Sequence, residues 1–172
     1  MKADKTTMQG AANWLGTLAV LIQDRVEARW QDELDLSPMS AAALVQVEQE
    51  ADCAIELVAT RIGLSHSATV RLIDKLAERD LVAKDRGRQD ARQQSLKLTK
   101  PGKKLAAQLH QIRNQVTDDL LGLVPAAQAE ALGATIAAIL HRAVKTKQEG
   151  DTVCRVCDEG RCRPEICPIQ VF

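Results

Sequence analysis

The chain has 172 residues and no formal net charge, because 23 Lys and Arg side chains balance 23 Asp and Glu side chains. Apolar residues make up 45% of the chain and aromatic residues only 2%. This composition argues against a disordered chain and against a strand-rich barrel, whose core depends on aromatic and β-branched side chains. No apolar run approaches the ~18 residues of a membrane span, and the first ten residues lack the apolar core of a signal peptide. We expect a soluble, mainly α-helical protein of the cytoplasm.

The charges are unevenly distributed along the chain. Residues 1–60 carry four basic and ten acidic side chains, a net charge of −6, whereas residues 61–104 have a net charge of +7. The positive charge is densest over 84–104, with eight basic and two acidic side chains. Such a concentration on an otherwise acidic chain is typical of a surface that binds a polyanion. The alternative is a charged face exposed to solvent.

Helical periodicity dominates the first half of the chain. Apolar residues at helical spacing and local capping signals predict helices over residues 8–34, 38–50, 54–62 and 66–79. Pro38 suits the first helical position of the second helix, and Gly63 suits the break after the third. Ser65 is a typical N-cap for the fourth.

The second half begins with a hairpin pattern. Two segments over 81–84 and 93–98 flank a polar tip that contains Gly87, as the two strands of a β-hairpin do. A long amphipathic helix follows Thr99, and a last helix runs from Pro125 to the region of Lys147.

Helix, turn, helix and basic hairpin together outline a winged helix-turn-helix. The segments LSHSATVRLIDKLAERDLV and DARQQSLKLTKPGKK resemble the recognition helix, the wing and the next helix of the MarR family of bacterial transcription regulators. Asp90-Ala91-Arg92 matches the family's Asp-x-Arg at the wing tip, and Leu98-Thr99-x-x-Gly102 matches its wing-to-helix junction. Asp80 stands where the family usually has Gly, and Asp tolerates the left-handed conformation better than most residues.

The resemblance covers residues 8–146 in element order and implies a mainly α fold with six helices and a two-stranded wing. It divides the chain into an N-terminal dimerisation helix, a winged helix-turn-helix DNA-binding domain, C-terminal dimerisation helices and a Cys-rich tail, over residues 1–35, 36–100, 101–147 and 148–172. The implied function is that of a homodimeric, sequence-specific regulator, most simply a repressor, bound to a palindromic operator in double-stranded DNA.

A recognition helix reads base edges with its N-terminal half, wing-tip arginines enter the minor groove, and nearby lysines contact phosphates. In the fourth helix we expect Ala68, Leu72 and Leu76 to pack inward and the opposite face to contact DNA. The predicted DNA-binding residues are Ser65, His66, Ser67, Val70, Arg71, Arg88, Asp90, Arg92, Lys103 and Lys104.

Two alternative interpretations of this region concern its charged residues. Arg71 and Lys75 would merely pair with Asp74 and Glu78 if the fourth helix were only a solvated surface. His66, alone at a helix start, indicates a polar contact rather than catalysis. No phosphate-binding loop, nucleophile elbow or His-Glu-x-x-His pattern occurs in the chain, and we predict no enzymatic activity.

MarR family members commonly bind small, often aromatic, ligands in a crevice between the dimerisation helices and the DNA-binding lobe. The resemblance therefore implies a small-molecule effector. Trp14, Trp30 and Met39 are candidates to line its site, and ordinary core packing is the alternative for each.

The tail contains four cysteines in the spacing Cys154-x2-Cys157-x4-Cys162-x4-Cys167. Four thiols this close together predict a tetrahedral metal site that holds zinc or an iron–sulfur cluster. Free, redox-active thiols are the alternative to a bound metal. The alternative function is that of a small metal-binding or redox protein, in which the tail is the working part and the helical body its scaffold. Cys53, away from the tail, is expected to be a buried structural thiol.

Overall fold

The computed structural model describes residues 5–50, 52–86, 94–162 and 164–169. Within these ranges the helices are α1 (Lys5–Leu34), α2 (Pro38–Gln49), α3 (Ile55–Ile62), α4 (His66–Glu78), α5 (Lys100–Leu121), α6 (Ala126–Ala143) and α7 (Lys147–Val153), with a 3-10 turn at Pro164–Ile166. Strands β1 (Cys53–Ala54), β2 (Val82–Arg86) and β3 (Gln94–Leu98) form one antiparallel sheet in the order β1-β3-β2. The predicted mainly α fold with a two-stranded wing is confirmed, and β1 adds a strand that the sequence did not predict.

The helices α2 and α4 of the winged helix module begin at the predicted capping residues, and α3 ends at the predicted glycine. The Ser37 hydroxyl accepts a hydrogen bond from Ser40 N (3.3 Å), and the Ser65 hydroxyl accepts one from Ala68 N (3.3 Å). Gly63 ends α3 with φ at 72°, a left-handed conformation that favours glycine. The turn between α3 and α4, which sets the direction of the recognition helix, is therefore fixed by local contacts.

The core lies where α2, α3, α4, the sheet and α5 meet. Its largest fully buried apolar side chains are Leu36, Leu44, Ile73, Leu76, Leu96 and Leu109. Trp30 brings α1 into this core, and its indole Nε1 donates a hydrogen bond to Leu109 O (3.2 Å). The long helices α1 and α5 are thus packed against the DNA-binding module.

The buried face of α4 differs from the prediction. Leu76 is buried as expected, but Thr69 and Ile73 complete the buried face, whereas Ala68 and Leu72 are only half-buried. Thr69 can be buried because its hydroxyl donates to Ser65 O (3.0 Å) and is satisfied within the helix. The prediction was wrong because it followed the spacing of Ala68, Leu72 and Leu76, whereas the buried face is turned around the helix toward Thr69 and Ile73.

The wing is joined to α5 by a tight backbone clamp at Thr99 and Gly102. Thr99 N donates to Leu81 O (3.2 Å), and the Thr99 hydroxyl donates to Asp80 O (2.5 Å) while it accepts from Gly102 N (3.0 Å). A Cβ atom on Gly102 would lie 2.0 Å from Leu81 O. Asp80 adopts φ 55°, the left-handed conformation expected at this position. These contacts explain the Leu-Thr-x-x-Gly pattern as the junction between wing and helix.

The end of the chain contains a helix that the sequence analysis missed. The last predicted helix ends at Ala143, and α7 begins at Lys147 after a short break. The Thr146 hydroxyl accepts from Glu149 N (3.2 Å), and the Glu149 carboxylate accepts from Thr146 N (3.1 Å), which is a capping box. The segment predicted as a Cys-rich tail therefore starts with a helix.

Two helices keep apolar surface uncovered in the single chain. Trp14 on α1 is 66% exposed, and none of the residues of α6 is buried. Leu132, Ile136 and Ile139 form an apolar stripe on α6 at spacings of four and three residues. Within the described ranges no single helix has the length and apolarity to cross a membrane, and α5 with α6 meets those criteria only as a pair bent by 120°.

Candidate nucleic-acid interface

The predicted base-reading residues lie on the N-terminal half of α4. Ser65, His66, Ser67 and Arg71 are exposed, and Val70 is half-buried against the core. His66 Nδ1 lies 3.5 Å from a carboxylate oxygen of Glu56 on α3. Hydroxyl, imidazole and guanidinium groups are therefore available to an approaching DNA groove, while Val70 contributes more to packing than to the surface.

Arg71 does not form the ion pair that the solvated-helix alternative requires. Asp74 pairs with Lys84 on β2 instead of with a basic residue of its own helix. Within the described residues neither Arg71 nor Lys75 has an ion-pair partner. The Arg71 guanidinium is thus exposed and unpaired on the face that would meet a major groove.

Two carboxylates surround Lys97 of the wing, one on the neighbouring strand β2 and one in the turn before β1. Lys97 on β3 lies 3.2 Å from Asp85 and 3.3 Å from Asp52, and its hydrogen bond to Asp85 raises the pKa of Lys97. Lys97 is therefore less available to phosphate than its sequence position suggests. The wing-tip residues predicted to contact DNA, Arg88, Asp90 and Arg92, lie outside the described residues.

The lysines at the start of α5 are exposed but differ in their surroundings. Lys103 lines a crevice whose other walls carry the carboxylates of Glu48, Glu50 and Asp52. Each of these carboxylates pairs with another basic group, Glu48 with His110, Glu50 with Arg61 and Asp52 with Lys97. Lys104 is exposed outside that crevice.

A cavity of about 350 Å³ lies between α1, α2, α5 and the Cys-rich segment. Its walls are mostly apolar, with Trp30 and Met39 among them as predicted, and Trp14 is not one of its lining residues. Its charged lining residues are Arg113, Arg155 and Glu27, two basic and one acidic. The cavity is therefore suited to a mainly apolar small molecule, and the charge of its wall favours an anionic group on that molecule.

Side-chain amides of α2 hold the backbone of the Cys-rich segment, which the sequence analysis did not foresee. Gln46 Nε2 donates to Arg155 O (3.1 Å), and Gln49 Nε2 donates to Cys157 O (3.0 Å). Gln46 is almost fully buried. Its Oε1 accepts a hydrogen bond from Nη1 of Arg61, a buried residue of α3 (3.0 Å).

Two further contacts fix the same segment to α5. Asn114 Nδ2 donates to Asp158 (2.6 Å), and Arg161 donates two hydrogen bonds to the Asp118 carboxylate (2.7 and 2.9 Å). The hydrogen bond from Arg161 lowers the pKa of Asp118. The Cys-rich segment is therefore docked between α2 and α5, beside the DNA-binding module.

The thiols of the Cys-rich segment shift one another's pKa values. The hydrogen bond between Cys157 and Cys154 lowers the pKa of Cys154 and raises that of Cys157. Cys162 contacts both Cys157 and Cys167, and its pKa is raised to about 12, chiefly by burial. Within the described residues, no group of three or more His, Cys, Asp or Glu side chains is already arranged to hold a metal ion. A metal bound by the four thiols would therefore have to draw them closer together.

Cys53 is expected to resist alkylation in the folded protein. It is buried at the start of β1, and burial raises the pKa of its thiol to about 11, so the reactive thiolate is scarce at pH 8. Mass spectrometry after brief treatment with iodoacetamide should find Cys53 unmodified and Cys154, a half-buried thiol whose pKa is lowered, labelled. Denatured protein, in which all five cysteines are accessible, is the control. Rapid labelling of Cys53 in the folded protein would contradict its assignment as a structural thiol.

Comparisons with known proteins agree with this geometry. Residues 34–93 match the sequence model of the MarR family. The YusO protein of Bacillus subtilis has a similar fold, with a TM-score of 0.69 and 20% sequence identity over 83% of this chain and 100% of its own. A MepR variant from S. aureus bound to an oligodeoxyribonucleotide gives a TM-score of 0.59 and 15% identity over 78% of this chain and 98% of its own.

CouR of Rhodococcus jostii RHA1, bound to p-coumaroyl-CoA, has a TM-score of 0.61 and 20% identity over 79% of this chain and 95% of its own. At these identities the structural likeness concerns the fold. The match to the MarR family model is confined to residues 34–93, which include α2, α3, α4 and β2. The resemblance of the sequence to the MarR family is therefore confirmed over these residues, and the likeness of the rest of the chain to the solved structures is one of fold.

Proposed function

We propose that the protein is a homodimeric, sequence-specific DNA-binding transcription regulator, most simply a repressor. The observation that carries this proposal is the exposed, unpaired Arg71 on the N-terminal half of α4, beside a basic hairpin. A helix presented in this way fits the major groove, and the wing fits the adjacent groove or backbone. The MepR variant with bound oligodeoxyribonucleotide is consistent with DNA as the partner of this fold.

The proposed homodimer is supported by the uncovered apolar faces of α1 and α6. Exposed residues such as Trp14, Ile136 and Ile139 have no partner in the single chain. Large exposed apolar patches mark interfaces, and most homodimers have two-fold symmetry. A two-fold dimer would present two recognition helices to a palindromic site and so multiply the affinity of each.

The cavity between α1, α2 and α5 supports a small-molecule effector. CouR holds p-coumaroyl-CoA, an aromatic acyl group on a large anionic carrier. The apolar wall with Trp30, together with Arg113 and Arg155, suits a ligand that combines an aromatic ring with negative charge. A ligand bound there would contact both the dimerisation helices and the DNA-binding module, and could shift their relative positions only by binding one arrangement better.

The proposal is tested by selecting duplexes from a random library with the purified full chain. The selected duplex and a scrambled duplex of equal length are then titrated at several salt concentrations. We expect tighter binding to the selected duplex and a steep, linear fall of log affinity with log salt, because basic side chains displace counterions from phosphates. Absence of salt-dependent duplex binding would instead favour the alternative function, a metal-binding or redox protein whose working part is the Cys-rich segment.

Substitution of Arg71 should change which sequence is preferred. Arg71→Ala is expected to weaken binding to the selected duplex by about 1–3 kcal/mol, whereas Lys104→Ala should weaken selected and scrambled duplexes to the same extent. The measurement is a repeated selection with each variant, followed by titrations against both duplexes. If both variants lose affinity and keep the original preference, α4 does not read bases through Arg71.

A further inference from the structure

The Cys-rich segment has an ordered backbone that collects its thiols. Cys157 N donates to Cys154 O (2.8 Å), and Cys162 N donates to Asp158 O (2.9 Å), so two consecutive tight turns shorten the path between the first three cysteines. Asp158 also accepts from Gly160 N (2.9 Å), which fixes the second turn. These turns, together with the spacing Cys154-x2-Cys157-x4-Cys162-x4-Cys167, place the four cysteines in one short segment of the chain.

We propose that Cys154, Cys157, Cys162 and Cys167 together hold one thiolate-coordinated metal centre, and that loading it changes the DNA affinity of the winged helix domain through the hydrogen bonds from α2. The second half of this inference rests on the proposed function, whereas metal binding does not. Four thiolates select zinc or an iron–sulfur cluster over hard cations such as magnesium or calcium.

Binding of a divalent ion has a simple balance of charge. The four thiols release four protons to solvent, and four thiolates around a divalent cation leave a centre with a net negative charge. Arg113 on α5 is close enough to Cys157 to stabilise negative charge there. The positive charge of Arg113 therefore lowers the free energy needed to form this negatively charged metal centre.

The docking contacts give the metal centre a route to the DNA-binding module. Gln49 holds the carbonyl of Cys157, a proposed ligand, and Gln46 holds the carbonyl of Arg155, two residues earlier. Arg61 on α3 donates to Gln46 (3.0 Å) and to Glu50 (2.6 Å). One hydrogen-bonded network therefore joins the Cys-rich segment to α2 and α3.

The free energy of this network depends on the position of the Cys-rich segment, because its central polar groups are buried. Gln46 is 1% exposed and Arg61 is 8% exposed, and Arg61 Nε, which has no hydrogen bond in the described part of the chain, faces Asp151 of α7 at 3.6 Å. Buried polar groups that lose their partners cost free energy, so undocking of the Cys-rich segment would disfavour the present arrangement of α2 and α3. A metal that links the four cysteines would favour the docked arrangement of the Cys-rich segment. Through the contacts of α3, it would also favour the present position of α4.

Metal binding is tested on the full chain purified without oxygen. Elemental analysis, sulfide analysis and visible absorbance should find one centre per chain, coloured with iron and sulfide or colourless with zinc. The double variant Cys157→Ser, Cys162→Ser should contain none, and the matched control Cys53→Ser should keep the parent's content. If the parent contains no metal and also fails to retain added Zn²⁺, or if the double variant retains metal, the site is overturned.

The coupling is tested with Zn²⁺ as the probe on reduced, metal-free protein. We expect the affinity for the selected duplex to differ between loaded and metal-free forms by about 5- to 150-fold, the usual range of coupling between sites. Gln49→Ala should still bind one Zn²⁺ but lose most of this difference. The matched control is Gln108→Ala on α5, whose amide makes no hydrogen bond in the described part of the chain, and it should keep the difference.

Hydrogen exchange separates failure of the coupling from failure of the proposed function. Zn²⁺ should raise the protection of α2 and α3 amides in the parent and in Gln108→Ala, and much less in Gln49→Ala. Equal duplex affinity with and without Zn²⁺, or unchanged protection, would overturn the coupling. If neither form binds any duplex, the proposed function fails, and the stoichiometry and exchange data still decide the metal site and its link to α2.

Discussion

Gly102→Ala should destabilise the protein by about 3 kcal/mol or more, although it adds a single methyl group. The new Cβ would lie 2.0 Å from Leu81 O and 3.0 Å from the carbonyl carbon, and both are backbone atoms that cannot rotate away. Leu81 O also accepts from Thr99 N, so relief of the clash would break the clamp between the wing and α5. Urea denaturation at a fixed protomer concentration measures the loss, because the stability of a dimer depends on concentration.

The matched control for Gly102→Ala is Gly133→Ala. Gly133 lies within α6 and has no atom within 4 Å of the position of an added Cβ. Since alanine favours helix over glycine by ~1 kcal/mol, this variant should be as stable as the parent or more stable. Equal stability of Gly102→Ala and the parent would mean that the junction can open without cost, and it would contradict the close approach of α5 to the wing.

The double variant Ile136→Glu, Ile139→Glu should convert the dimer to a monomer and lower the affinity for the selected duplex at least 100-fold. The two isoleucines are 41% and 47% exposed in the single chain, so charge there should not disrupt the core of the protomer. Buried in an interface between two copies, the same carboxylates would lack partners and oppose association. A monomer presents one recognition helix and loses the gain from bivalent binding, which reaches factors of 10²–10⁴.

Sedimentation, circular dichroism and duplex titration test this expectation together. The control is Ala134→Glu, which adds the same charge on α6 about 200° around the helix from Ile136. Ala134 is exposed, and its variant should remain dimeric and bind the duplex like the parent. A stable dimer in the double variant, or full affinity from a monomer, would show that α6 does not contribute to the interface as proposed.

The elements of the winged helix could be predicted because their signals are local. Ser37, Ser65 and Thr99 each cap a helix through a hydrogen bond to an amide three residues away, so the sequence itself contains both partners. The Leu-Thr-x-x-Gly junction was recognised from its resemblance to the family, and the close approach of Gly102 to Leu81 supplies the physical reason for the glycine.

Predictions of which helix faces are buried were less accurate, because periodicity does not show which element packs on an apolar side chain. Trp14 fits the apolar stripe of α1, but it is exposed because no element in the described part of the chain packs on it. On α4 the buried face includes Thr69, whose hydroxyl is satisfied within the helix. The spacing of apolar residues in a sequence shows neither which element packs on a side chain nor whether a buried hydroxyl group has a hydrogen-bond partner.

The docking of the Cys-rich segment could not be predicted, because it depends on pairs that are far apart in sequence. Gln46 and Arg155 are 109 positions apart, and Asn114 and Asp158 are 44 apart. One signal was present in the sequence, since Gln46 interrupts an otherwise apolar run in α2 and a polar residue there requires a buried partner. The identity of that partner follows only from the folded chain.

The cavity near Trp30 has a wall that belongs partly to the Cys-rich segment, through Val153, Arg155 and Val156. A molecule held there would touch the loop that carries the proposed metal ligands. Thermodynamic linkage then requires reciprocity: if metal loading changes the affinity for that molecule by some factor, the molecule changes the affinity for the metal by the same factor. The fraction of DNA sites that the protein occupies would then depend on the concentrations of the metal and of the bound molecule together, and not on either concentration alone.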